Sequence, residues 1–131
     1  MKKMSIIVLI TAVIICCICC YKDKNVINVS FATEAYVLND GEKRVVDAND
    51  LGELKSLLEG KLYVDNPSCG FSNNISITFF NEKEEITICP ALDGCNTMLV
   101  KEVNKYFKIS EGERESLDNV LELYGIEFPA V

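Results

Sequence analysis

The chain has 131 residues, a single-domain length, with 49% hydrophobic residues and 13 basic against 20 acidic residues for a net charge of −7. That balance repels phosphate backbones and anionic lipid headgroups, which argues against nucleic-acid binding and against electrostatic docking on a membrane. No histidine occurs anywhere, so Ser-His-Asp and Cys-His nucleophile pairs are excluded too.

The N-terminus opens with Lys2 and Lys3 and then runs nearly unbroken through apolar residues from Met4 to Cys20. A positive start followed by an apolar run has the layout of a secretory signal, and it predicts export of everything after Cys20. Residues 1–20 are thus expected to be a signal peptide or an N-terminal membrane anchor. The run is at the short limit for a membrane-spanning helix. The cluster Cys16-Cys17-Ile18-Cys19-Cys20 resembles a bacterial lipobox with Cys20 as the lipidation candidate, although Cys19 stands where that motif carries a small residue. A lipid anchor, an uncleaved helix and cleavage with release all remain open. Without Lys2 and Lys3, 11 basic residues face 20 acidic ones, a net charge of −9.

Residues 21–25 (YKDKN) read as a spacer, and residues 26–131 as one extracytoplasmic domain. Val26 to Ala32 is β-rich. Ala35 to Leu38 reads as a strand entering a turn at Asn39-Asp40-Gly41, with Lys43 to Val46 returning from it. Asp50 and Glu53 suggest the start of a helix, whose apolar face is Leu51, Leu54, Leu57 and Leu58 and whose stop is Gly60. A turn-rich stretch, Asp65 to Gly70, precedes the clearest hairpin. There Ile75, Ile77 and Phe79 alternate with polar residues, as do Ile86 and Ile88 after the turn Asn81 to Glu84. Placing both apolar sets on one face requires Ile77 to pair with Ile86 or with Ile88. Thr97 to Val103 reads as another strand, continued or followed by Tyr106 to Ile109. The last helix is announced by Ser110 and Glu113 as a capping box, by the stripe Leu117, Val120, Leu121 and Tyr124, and by Gly125 at its end. Each helix has one apolar stripe and needs a sheet face to cover. The expected fold is therefore α+β: two layers, an antiparallel sheet with two helices packed on one face, behind the N-terminal segment.

Three cysteines lie in the predicted domain: Cys69, Cys89 and Cys95. In an exported protein the ordinary fate of such thiols is a disulfide, with a structural role. Cys69 and Cys95 both lie beyond the open end of the predicted hairpin, which favours that pair. The turn residues Pro90 and Asp93-Gly94 favour Cys89–Cys95 about equally, and sequence alone does not decide connectivity. The C-x5-C spacing is not the redox C-x-x-C motif. Zinc sites usually have closely spaced Cys or His pairs and a fourth ligand, and here only Asp93 is near, so no metal or other cofactor is expected.

No phosphate-binding glycine loop, nucleophile elbow or metalloprotease motif is present. Glu111, Glu113, Glu115, Asp118 and Glu122 read as the solvated face of the last helix. No catalytic residue stands out, and the expectation is a protein that is not an enzyme. Among the aromatics, Phe80 follows the inward Phe79, and Tyr106-Phe107 puts one ring on each face. Phe80 and one ring of that pair should therefore lie off the core.

The apolar leader, "VVDANDLGELKSLL", "SCGF…ISITFF", "CPALDGC" and "KYFKISEGERESLDNVLELYGIEFP" together resemble the small uncharacterised cell-surface lipoproteins of low-GC Gram-positive bacteria. The resemblance spans nearly the whole chain and implies location and size rather than chemistry. The preferred expectation is a domain without catalysis on the outer face of the cell membrane, tethered through the N-terminal segment or a lipid, that binds an unknown protein or envelope component. Two other expectations come from the residues themselves: a thiol-active or metal-binding accessory protein using Cys69, Cys89 and Cys95, or an inhibitor- or immunity-type protein whose acidic surface meets a basic partner.

Overall fold

A computed structural model describes residues 25–129 of the chain. The leader, Cys20 and the sequence-based expectations that rest on them lie outside the described residues. Among the described residues no helix is long and apolar enough to cross a membrane.

The elements in chain order are β1 (Val26–Ile27), β2 (Glu34–Asn39), β3 (Glu42–Val45), α1 (Ala48–Leu57), β4 (Gly60–Lys61), β5 (Ile75–Phe80), β6 (Glu85–Pro90), β7 (Thr97–Val100), β8 (Lys105–Lys108) and α2 (Glu111–Glu122). Six strands form one antiparallel sheet in the order β3-β2-β5-β6-β7-β8, while β1 and β4 pair as a separate two-stranded ribbon. Over the described residues the fold is α+β with antiparallel sheets and two helices. A backbone bridge between Tyr63 and Tyr106 links the chain just after the ribbon to β8.

The β2–β3 connection follows from its sequence. Asp40 and Gly41 both adopt positive φ, 48° and 91°, the two-residue turn whose twist matches that of the strands it joins. In the β5–β6 hairpin Ile77 pairs with Ile88 and Phe79 with Ile86, one of the two registers that the alternation allows. Asn81 holds its turn, its side-chain oxygen accepting the backbone N–H groups of Lys83 and Glu84 at 2.8 and 2.7 Å.

Alternation sorts the sheet into two faces. Ala35, Val37, Ile77, Phe79, Ile88, Met98, Val100 and Phe107 are buried in one cluster with Leu54 and Leu58 of the first helical segment and Leu117, Val120 and Leu121 of α2. Both helices therefore cover the same face. α2 begins with the expected capping box: Ser110 N–H donates to Glu113 at 2.7 Å, and Glu113 N–H donates to Ser110 Oγ at 3.2 Å. Beyond Glu122 the chain turns out of the helix through Gly125, φ 84°, with N–H bonds from Gly125 to the Glu122 carbonyl and from Ile126 to that of Leu121. That is the pattern of a glycine-terminated helix.

Four boundaries differ from the sequence reading. The first strand stops at Ile27, because the Asn28 side chain accepts hydrogen bonds from Ser30 N–H and Oγ and turns the chain out of the ladder. Helix α1 starts earlier than Asp50. Asp47 is the cap, accepting Asp50 N–H at 2.9 Å, and the Asp50 carboxylate instead accepts the Tyr124 hydroxyl at 2.6 Å. Gly60 lies in β4 rather than ending a helix. A Cβ there would come within 3.0 Å of the Phe107 ring. Lys101 to Val103 belong to a turn, not to β7, and the chain reverses into β8 through Asn104 at φ 51°.

Candidate functional site

Among the described residues no helix covers the second face of the sheet. It presents Tyr36, Thr78, Phe80, Thr87, Cys89, Leu99 and Tyr106, the residues out of phase with the core set. As expected, Phe80 and Tyr106 lie off the core. Phe80 packs against Tyr36, with ring centroids 6.0 Å apart. Between the Tyr63 bridge and β5 the chain has no regular structure apart from turns, and this 64–74 crossover packs over the β8 end of the second face. There Tyr106 stacks on Phe71 and Tyr63 at 5.6 and 5.9 Å and donates its hydroxyl to Asn66 Oδ1 at 3.2 Å.

A second irregular segment, 91–96, follows β6. Its N-terminal end is closed by Ala91 N–H to the Thr97 carbonyl, and it meets the crossover where Leu92 N–H donates to the Gly70 carbonyl at 2.9 Å. Gly94, at φ 79°, allows the tight reversal between Asp93 and Cys95. Arg114 of α2 secures the loop from beneath. It is only 3% exposed, yet fully engaged: Nε donates to Asp118 at 2.8 Å, Nη1 to the Cys95 carbonyl at 2.5 Å and Nη2 to the Ala91 carbonyl at 3.0 Å. Its guanidinium also lies over the Phe128 ring, 4.6 Å from the centroid.

The two segments bring Cys69 and Cys95 together. One ligand atom from each of Cys69, Asp93 and Cys95 lies within 4.8 Å of the other two. Both cysteines are half-buried free thiols, and Asp93 is exposed. Cys95 N–H donates to Asp93 Oδ1 at 3.2 Å. Hydrogen bonding to Cys69, and then to the Asp93 carboxylate, pushes the Cys95 thiol up to about 12. The same contacts with the Cys95 thiol and N–H hold the Asp93 carboxyl below its ordinary range. Beside the cluster opens a cleft of about 850 Å³ lined by Tyr63, Asn66, Pro67, Cys69, Cys95, Asn96 and Lys108 among others. Among the described residues the Tyr63 hydroxyl is the buried side-chain polar atom without a hydrogen-bond partner, and its residue walls this cleft.

Of the three cysteines singled out from sequence, Cys69 and Cys95 thus meet and Cys89 stands apart. Cys89 is still inside β6, paired with Leu99 and fully buried, and burial raises its thiol pKa. Arg114 escaped the sequence reading. Its signal was there, since it occupies the helical stripe of Leu117 and Leu121, three and seven residues on, where an arginine needs buried partners. Asp118, read as part of the solvated face, is one of those partners.

No protein-family model, curated protein or solved structure matches the chain.

Proposed function

We propose that the protein is a tethered extracytoplasmic binding domain without catalytic activity, held at the outer face of the cell membrane by its N-terminal segment or by lipid on Cys20. Its ligand is a protein or envelope component, received in the cleft between the 64–74 crossover and the 91–96 loop. The observation that carries this reading is the cleft itself. Its walls are two irregular segments bearing the amides of Asn66 and Asn96, completed by the Tyr63 ring and by Lys108 of β8, with the 91–96 loop held in place by Arg114. Binding residues are disproportionately found on loops held in this way.

The test uses the full chain in a Gram-positive host, with a photo-crosslinking residue placed at Ser68 in the cleft or at Glu53 on the exposed side of α1. A defined adduct from Ser68 and none from Glu53 is expected, with the domain open to added protease on intact cells and the mature N-terminus read by mass spectrometry. Equal or absent labelling at the two positions would remove the cleft reading. Protection from external protease would remove the tethered one.

A further inference from the structure

We propose that Cys69, Asp93 and Cys95 form a binding site for a thiophilic divalent cation, zinc(II) foremost, at the mouth of the cleft. The inference gives the cleft a chemically defined ligand, and it rests on the reading of that cleft as the binding surface.

The donor set is the first argument. Two thiolates and a carboxylate match the ligand preferences of zinc and not those of magnesium or calcium, which take oxygen alone. In a tetrahedral zinc site with bonds of about 2.3 Å, two sulfur ligands lie roughly 3.8 Å apart. The bound of 4.8 Å on the three donor atoms leaves only a small contraction to reach that geometry. Binding is not a redox step. Each thiol gives up its proton to solvent, the carboxylate is already ionised, and the cation takes three protein donors, leaving a further position for water or a group entering from the cleft.

Asp93 is the second argument, and it distinguishes this cluster from a pair poised only for a disulfide. Beside a neutral S–S bond the carboxylate would lose its thiol donor and keep only the Cys95 N–H. Among the described residues Asp93 makes no salt bridge, and the nearby cation Arg114 is taken by Asp118 and two carbonyls. A dication bound by the two thiolates would add a direct partner to the weaker attraction that Arg114 already exerts on this carboxylate.

Preorganisation is the third. The Cys95 N–H fixes one oxygen of Asp93. Arg114 fixes the loop that carries both residues, and the bond from Leu92 N–H to the Gly70 carbonyl holds the Cys69 segment against that loop. The donors therefore stand together before any ion arrives, the condition under which supporting contacts raise metal affinity.

The experiment is a cobalt(II) titration of the reduced full chain in detergent, followed by displacement with zinc against a chromophoric chelator. The expected result is one ion per chain, with thiolate-to-cobalt charge-transfer absorbance that is lost in Cys69→Ser and in Cys95→Ser. Asp93→Asn should weaken binding by about 10–100-fold, at least the loss typical of an outer-shell partner, and Cys89→Ser should leave it unchanged. Wild-type protein without charge-transfer absorbance overturns the proposal. So does recovery of Cys69 and Cys95 as a joined disulfide peptide from cells lysed into an alkylating agent without reductant. Ser68 crosslinking that persists when cobalt binding fails would sink the metal site alone. Stoichiometric cobalt binding without Ser68 adducts would instead sink the macromolecular ligand.

Discussion

The two faces of the six-stranded sheet are built from the same strands and by opposite means. On one face Ile77, Phe79 and Ile88 are fully buried under two capped helices, in a cluster made almost wholly of hydrocarbon. On the other, Thr78 and Thr87 share a hydroxyl contact of 3.1 Å, Tyr106 hydrogen-bonds Asn66, and the cover near β8 is an irregular crossover. The helix-covered face supplies stability through area removed from water. The crossover-covered face is held by aromatic contacts and individual polar bonds, and it is the one that carries the cleft and the Cys69–Asp93–Cys95 group. The difference shows how a small domain separates the work of folding from that of presenting a site.

The sharpest way to break the contrast is to truncate neighbouring residues of β5 that point in opposite directions. Phe79→Ala should cost about 3–5 kcal/mol in urea unfolding, as lost transfer energy plus a cavity. Arg114→Met comes next. It keeps apolar bulk against Phe128 but strands the Ala91 and Cys95 carbonyls, with an expected loss of about 3 kcal/mol. Cobalt affinity should fall with it, because the loop carrying Asp93 and Cys95 loses its anchor. Thr78→Val should change stability by less than about 1 kcal/mol, since Thr87 is half-exposed and water can replace the lost partner. If Thr78→Val proved as damaging as Phe79→Ala, the division of labour between the faces would be wrong.

The finest test is by pH in metal-free protein. Hydrogen bonding to Cys69 pushes the Cys95 thiol from its ordinary 9.0 up to about 12. A raised pKa means that the folded chain keeps a proton that the unfolded chain loses, so this contribution is complete below about pH 9 and disappears as pH rises towards 12. Thiolate absorbance should show the late ionisation. Cys69→Ser should bring it down more than Asp93→Asn, because Cys69 is the larger cause. The lowered Asp93 carboxyl works in the other direction, its contribution present above the ordinary value of 3.8 and lost as pH falls through the lower folded value.

Much of the helix-covered face was legible from sequence. The period-two pattern of Ile75 to Phe79 and the capping box at Ser110 depend on neighbours a few residues away, and local rules read local chemistry. Boundaries were missed where a distant or unnoticed group intervened. Tyr124 takes Asp50 into a contact between helix segments, and Asn28 turns β1 aside with its own side chain.

Taken by itself, the sequence determined the α+β class, the antiparallel hairpin with its two permitted registers, the second helix with both its ends, and the absence of histidine chemistry. Only the tertiary structure decided that Ile77 meets Ile88 rather than Ile86, that Cys69 rather than Cys89 is the neighbour of Cys95, and that Asp93 joins them over a loop held by a buried arginine. The physical reason is separation along the chain. Periodicity and capping are settled within one or two turns, whereas the meeting of residues 69 and 95 depends on where an irregular crossover lies against the finished sheet.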